Sequence, residues 1–348
     1  MLSYARKAAL SPLWAAQLLT QTKSFARNPI LGSERLNALG LHAARVQMAH
    51  RMAWSRRRRL AHLISAEDRA AFERDGFVVK RDFLPKEQFE ALLREAKTFR
   101  TVAREMTEGD AVTRRIPFSP ENLARLPAAR ALAEDPGFQG LLRYVGSDNT
   151  DSPLYFQTIL SRVSAAAGRD PQTNFHADTF HPTVKAWLFL VDVEEADGPF
   201  NYVPGSHRLT PERLEWERQK SLTAARSPDS ETRAGSFRVE REELKGLGLP
   251  DPVAFAVPAN TLVVGDTYGF HARGASTRPS LRVEIFASGR RNPFLPYTGL
   301  DIGSQGPLKN RKTVVSWAFL DTVERFGLGR NVWRERRDVT AFDAFANG

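Results

Sequence analysis

The chain of 348 residues contains no cysteine, which removes disulfide scaffolding and every thiolate-bound zinc or iron–sulfur centre from consideration. Any metal it holds must be bound by histidine and carboxylate. No apolar run approaches the roughly 20 residues needed to cross a bilayer, and there is no internal repeat or long low-complexity tract. Acidic residues are nearly missing from residues 1–60, where Glu34 stands alone. With 42% hydrophobic and 26% charged side chains, the chain can bury one substantial core.

The same first 60 residues carry eleven cations: Arg6, Lys7, Lys23, Arg27, Arg35, Arg45, Arg51, Arg56, Arg57, Arg58 and Arg59. The remaining 288 residues hold 39 basic and 39 acidic side chains, so the whole excess of +10 belongs to this arm. No base-reading motif accompanies the charge, which argues against nucleic acid. Apolar anchors do accompany it, in Leu10, Leu13, Trp14, Leu18 and Leu19, and again in Leu36, Leu39, Ala43 and Val46. Cations beside such anchors suit an anionic membrane surface, with the arm lying on the bilayer rather than spanning it. The expected location is cytoplasmic, with peripheral attachment at the inner face of a membrane. A matrix location follows instead if the acid-free opening MLSYARKAALSPLWAAQLL is a transit peptide, and an arm packed on the body is a third reading.

Beyond the arm, residues 65–348 form the expected catalytic domain. Ser65-Ala-Glu-Asp68 has the form of a capping box opening a helix that Gly76 ends, and FVVKRDFL follows as strand and turn. Phe89, Leu92, Leu93, Ala96 and Phe99 recur at intervals of three and four, marking one apolar helical face. Ser119-Pro120 starts another helix, and 127–146 is helical with a break at Asp135-Pro136-Gly137. From Leu154 the pattern turns to β: LYFQTILSRV, TVKAWLFLVDV, FNYV, VAFAV, TLVV and LRVEIFAS are short runs rich in branched and aromatic residues. A charged insertion over 208–249 has some helical character and serves as a mobile wall or lid, or is a plain surface excursion. The tail from Asn292 wraps the core through Trp317, Phe319, Phe326 and Trp333.

Two distant stretches carry the chemistry. NFHADTF places His176 and Asp178 two residues apart, so that in extended chain both point to one face and reach one ion. GDTYGFHARGASTRPSLRVEIF supplies His271 and, eleven residues on, Arg282. Two imidazoles and a carboxylate make a facial triad that leaves metal positions open, as non-haem Fe(II) oxygenases require. Arg282 lies in an alternating strand whose inward set is either Arg282, Glu284 and Phe286 or the opposite one. A buried arginine needs an anionic partner, either the far carboxylate of a 2-oxoglutarate cosubstrate or Glu284; the alternative is a surface position.

These residues resemble the phytanoyl-CoA dioxygenase family of Fe(II)/2-oxoglutarate-dependent oxygenases over about residues 69–290. AFERDGFVVKRDFLP is similar to that family's opening segment, DGPFNYVPGSHR to its turn with a Pro-Gly-Ser-His close, and the FHAD and His271–Arg282 spacings complete the likeness. The resemblance implies a double-stranded β-helix, a jelly-roll barrel flanked by helices, with iron at one open end. It implies that His176, Asp178 and His271 hold Fe(2+), that Arg282 grips 2-oxoglutarate with Gln157 and Trp187 beside it, and that O2 is the second cosubstrate. Asp178 favours hydroxylation, since halogenating relatives lack this carboxylate. His207 corresponds to a structural turn residue, and His181 faces substrate or is a polar loop residue. Two departures are Asp197-Gly198, where Asn-Gly is usual, and Arg273, where a small hydroxyl residue often stands.

The expected activity is hydroxylation of a membrane-associated lipid or glycolipid, such as the Kdo sugar of lipopolysaccharide. A soluble acyl-CoA or small metabolite is the alternative substrate. A metal-binding sensor or membrane-recruited scaffold without turnover is the alternative of another class.

Overall fold

The structure, a computed structural model, describes residues 12–161, 170–299 and 309–344. Arg6, Lys7 and Leu10 of the arm, and Arg162 and Val163 at the end of the first predicted β run, lie outside them.

Eight strands form one antiparallel sheet in the order β1 (Phe77–Lys80), β8 (Leu262–Asp266), β5 (Val184–Phe189), β10 (Ser280–Gly289), β4 (Leu154–Ser161), β3 (Ala111–Pro117), β2 (Thr101–Glu108) and β11 (Arg334–Val339). Three short strands, β7 (Val253–Ala254), β6 (Phe200–Tyr202) and β9 (His271–Arg273), make a second sheet. Strand alternation gives the large sheet two unlike faces. Phe156, Ala186, Leu188, Val264, Val283 and Ile285 point outward into the main core, where helices cover them. Phe77, Tyr155, Trp187, Val263 and Phe286 point inward and meet the small sheet through Phe200, Tyr202 and Phe255. The Trp187 and Phe200 rings stack across the gap at 4.0 Å. This is the two-sheet core of a double-stranded β-helix; among the described residues no closed ring of strand pairing forms.

The covering helices follow the sequence. Ser65 accepts the Asp68 amide and caps the helix Ala66–Asp75, which Gly76 ends in the left-handed conformation at φ 87°. A side chain at Gly76 would strike His207, which is buried against Phe72 and so acts structurally. The helix Lys86–Thr98 buries Leu92 and Ala96. Pro127–Glu134 and Pro136–Gly146 are separate helices broken at Asp135, which caps the second.

The arm packs partly on the body, and the tail departs from expectation. Helix α1 (Leu41–Leu60) buries His42, Arg45, Val46, Ala49, His50, Ala53, Arg56, Arg57 and Leu60. That spacing is helical, but five of the nine buried side chains are His or Arg. Arg56 donates to the carbonyls of Ser147, Pro293 and Leu295. Arg57 pairs with buried Asp266 at 2.8 Å, and Arg45 donates to the carbonyls of Leu18, Thr20 and Thr22. Three of the arm's cations are thus spent inside the protein, while Leu36 and Leu39, read as membrane anchors, are exposed. In the tail, Trp317 and Trp333 turn inward, their rings 6.0 Å apart, whereas Phe319 and Phe326 are exposed and anchor nothing.

Residues 208–249 pack against the arm and the site strands. Helix α2 (Pro211–Thr223) packs along α1 through a buried His42–Glu217 contact of 3.0 Å. Farther on, Phe237 accepts the Ala177 amide at 3.0 Å, so the wall holds the chain between His176 and Asp178.

Candidate metal centre

His176 and His271 face one another because their backbones exchange two hydrogen bonds, each 3.0 Å, as a short antiparallel bridge. Their ring centroids are 4.5 Å apart. The Asp178 amide donates to Thr267 at 3.0 Å, and two residues of extended chain turn its carboxylate to the face of His176. Asp178 Oδ1 lies 3.7 Å from His176 Nε2 and 3.6 Å from His271 Nε2. All three donor atoms fall within 4.8 Å of one another.

Tautomers are fixed by the backbone. His176 Nδ1 is 2.8 Å from the Asn174 carbonyl and His271 Nδ1 is 2.9 Å from that of Gly269. A carbonyl only accepts, so both Nδ1 atoms carry the proton and both Nε2 lone pairs point into the cluster. His271 Nε2 is buried without a hydrogen-bond partner, an unmet demand that a divalent cation would satisfy. Burial, then the neighbouring His271, lower the His176 pKa to about 4. Burial alone would raise that of Asp178, but Lys185, His271 and the two imidazole contacts together hold it well below the usual carboxylate range. A neutral His176 beside an ionised Asp178 is in the protonation state a metal needs.

Two lysines hold the aspartate. Lys185, on the inward face of β5, places Nζ 2.6 Å from Asp178 Oδ2, leaving Oδ1 as the free oxygen toward the histidines. Lys23, from the arm, donates to the Asp178 carbonyl at 2.5 Å; burial and Arg290 lower its pKa to about 8. Sequence reading missed both. Lys185 carried a signal, a cation alternating with Trp187 and Phe189 on a strand beside the site; Lys23 carried none.

The cluster opens on a cavity of about 210 Å³ between the two sheets, lined by Gln157, Trp187, Arg273 and Arg282 among others. Every predicted cosubstrate residue is therefore here. Arg282 is buried, donates to the Gly198 carbonyl and lies 3.3 Å from Glu284, so the inward set is Arg282, Glu284 and Phe286. Gly198 has φ 67°, and a side chain there would strike the Gly274 carbonyl, which explains the Asp-Gly turn. Gln157 donates to Glu284 at 2.7 Å and accepts from Arg115 at 2.7 Å, linking strand to strand across the cavity floor. Arg273 pairs with Asp170 at 2.7 Å. Arg115 and Lys185 complete the four cations of the lining, of which Lys185, Arg273 and Arg282 already face the carboxylates of Asp178, Asp170 and Glu284. His181 is fully buried in the loop before β5, bonds the Pro182 carbonyl and does not line the cavity, so it is a polar loop residue and does not face substrate.

Residues 72–243 match the family model of phytanoyl-CoA dioxygenase. No curated protein matches the chain. Similar solved structures include the epimerase SnoN in complex with Fe3+, α-ketoglutarate and nogalamycin RO, at 21% identity over 80% of this chain and 96% of that one, TM-score 0.43. HygX from Streptomyces hygroscopicus with nickel and 2-oxoglutarate bound is 19% identical over 64% of this chain and 86% of its own, TM-score 0.39. EctD from S. alaskensis with 2-oxoglutarate and 5-hydroxyectoine is 18% identical over 71% and 87%, TM-score 0.42.

Proposed function

Because this chain belongs, through residues 72–243, to the phytanoyl-CoA dioxygenase family of Fe(II)- and 2-oxoglutarate-dependent oxygenases, we propose that it hydroxylates one C–H bond of an amphiphilic substrate at a membrane. The observation that carries the reading is the inward-facing triad with its unpartnered His271 Nε2. His176, Asp178 and His271 are assigned to the iron. Iron with 2-oxoglutarate supplies the oxidising equivalents that insert one oxygen atom of O2 into a C–H bond, while 2-oxoglutarate leaves as succinate and carbon dioxide.

The chain's own residues bind and orient. Arg282 is assigned to the far carboxylate of 2-oxoglutarate, exchanging its loose contact with Glu284 for a charge-assisted one. Gln157 and Trp187 shape the floor beside it, and Lys185 keeps Asp178 to one donor oxygen. Trp187, Phe200 and Phe286 exclude water from one side of the cavity. At about 210 Å³ the space is smaller than the ~300–1,000 Å³ of sites that engulf whole ligands, so a large substrate presents one end. That favours a lipid, or a glycolipid sugar such as Kdo, whose remainder stays outside; a soluble acyl-CoA presents itself similarly and is the competing substrate.

Purified protein given Fe(II), 2-oxoglutarate and oxygen is expected to form succinate, and a lipid extract to gain one oxygen by mass spectrometry. Succinate without an oxygenated lipid, but with an oxygenated acyl-CoA, would transfer the assignment to the soluble substrate. No succinate under any condition would leave a sensor.

A further inference from the structure

Six of the fourteen exposed large apolar side chains among the described residues fall between 314 and 332: Val314, Val315, Phe319, Phe326, Leu328 and Val332. Most of the stretch is helix α3 (Lys312–Arg325), which buries no residue fully. Its inner side meets the site's surroundings: Thr313 Oγ1 is 2.7 Å from the Tyr155 hydroxyl, and the Trp317 ring lies 6.4 Å from that of Tyr155. Its outer side, with Val315 and Phe319, is equally apolar and faces solvent. The helix ends where the Leu328 amide bonds the Val323 carbonyl at 3.0 Å and Gly327 turns left-handed at φ 67°. This close throws Phe326 and Leu328 outward, 71% and 80% exposed. Arg325 and Arg330, both exposed, bracket them in the sequence Arg-Phe-Gly-Leu-Gly-Arg.

We propose that this corner is the surface by which the protein docks on an anionic bilayer, Phe326 and Leu328 entering the interfacial layer and Arg325 and Arg330 meeting the headgroups. Charge decides the occupant. A second copy docking through a two-fold contact would bring these arginines against one another, whereas an anionic membrane complements them. Apolar side chains flanked by cations suffice for peripheral attachment. The position fits the site: Trp333, next to Val332, lies 4.9 Å from the Arg115 guanidinium, which lines the cavity. Docking would bring the β3–β4 side of the cavity to the bilayer. The inference rests on the membrane-substrate reading above and moves the contact from the arm to the tail.

The test is co-sedimentation of iron-loaded full-length protein with phosphatidylglycerol-containing and with pure phosphatidylcholine vesicles, at low and high salt. Wild type is expected to bind the former and to be released by salt. Phe326→Ser combined with Leu328→Ser should weaken partitioning by about tenfold per side chain, and Arg325→Gln with Arg330→Gln should abolish the preference for the anionic lipid. Leu36→Ser with Leu39→Ser should bind as wild type does. Wild type left in the supernatant, the Phe326/Leu328 variant binding undiminished, loss of binding in the Leu36/Leu39 variant, or a soluble dimer that only the Phe326/Leu328 change dissolves would each overturn the proposal. Succinate formed without vesicles reports the oxygenase reading separately. Succinate without vesicle binding defeats the docking alone; vesicle binding without succinate defeats the oxygenase and leaves the docking.

Discussion

Lys185 does for Asp178 what the backbone carbonyls of Asn174 and Gly269 do for the histidines: it fixes which atom is free. Its Nζ occupies Oδ2 at 2.6 Å, so Lys185→Met should let the carboxylate turn and weaken Co(II) or Fe(II) affinity by about 10- to 100-fold. Lys185→Arg should restore part of it, and the d–d spectrum of the Co(II) form should differ between the two. An affinity unchanged in Lys185→Met would mean that the lysine only solvates the carboxylate. Arg282 makes a separable prediction. A lysine in its place would keep the charge but lose the planar fork, so Arg282→Lys should raise the 2-oxoglutarate dissociation constant by about tenfold or more while Co(II) binding stays unchanged. Equal loss of both would show that the substitution disrupts the cavity as a whole.

Helix α1 is the element whose role was least legible. Its buried stripe runs at intervals of three and four from His42 to Leu60, yet five of its nine members are His or Arg, and pattern reading counts such residues as exposed. The information lay in the partners: Asp266 and the carbonyls of Ser147, Pro293 and Leu295 are remote in sequence, and no local rule pairs them. Breaking a buried ion pair costs about 3–5 kcal/mol, so Arg57→Ala should lower the urea midpoint by an amount equivalent to that range with the slope unchanged. An unmoved midpoint would contradict the integral role of the helix. The strands were easier, because alternation separates Ile285 from Phe286 into opposite faces, though only the structure shows that Phe156 and Ile285 face the helices and Trp187 and Phe286 the cavity. In the tail, aromatic residues were all expected inside; Trp317 and Phe319, two positions apart, fall on opposite sides of one helix, and no sequence signal marked the stretch as helical.

Over the whole molecule, the His-x-Asp and the later histidine were legible because one rule of strand geometry and one choice of ligand chemistry sufficed for both. What the sequence hid is how much of the rest closes around them. The arm reaches the Asp178 carbonyl through Lys23, and the 208–249 wall holds Ala177 through Phe237. The interior also stores a pH response. Burial, and then neighbouring cations or imidazole, depress the pKa values of His50, His176, His181 and His207, that of His176 to about 4 from 6.5. Below 6.5 the unfolded chain takes up protons that the folded chain refuses. Stability is therefore complete above 6.5 and falls as the pH drops toward about 4, by at most about 1.4 kcal/mol per pH unit for each histidine. Melting of the metal-free protein across that window should show a steadily falling midpoint; a flat one would contradict the buried, neutral state of these rings.

The most direct test of the central claim is anaerobic titration of the protein with Fe(II) and 2-oxoglutarate, followed by visible absorption, in wild type and in His176→Ala and Arg282→Lys. The account predicts a charge-transfer band when both are added to wild type, none in His176→Ala, and one needing more 2-oxoglutarate in Arg282→Lys, with succinate appearing on admission of oxygen. A band that survives intact in His176→Ala, or its absence from wild type, would contradict the assignment of His176, Asp178 and His271 to the metal.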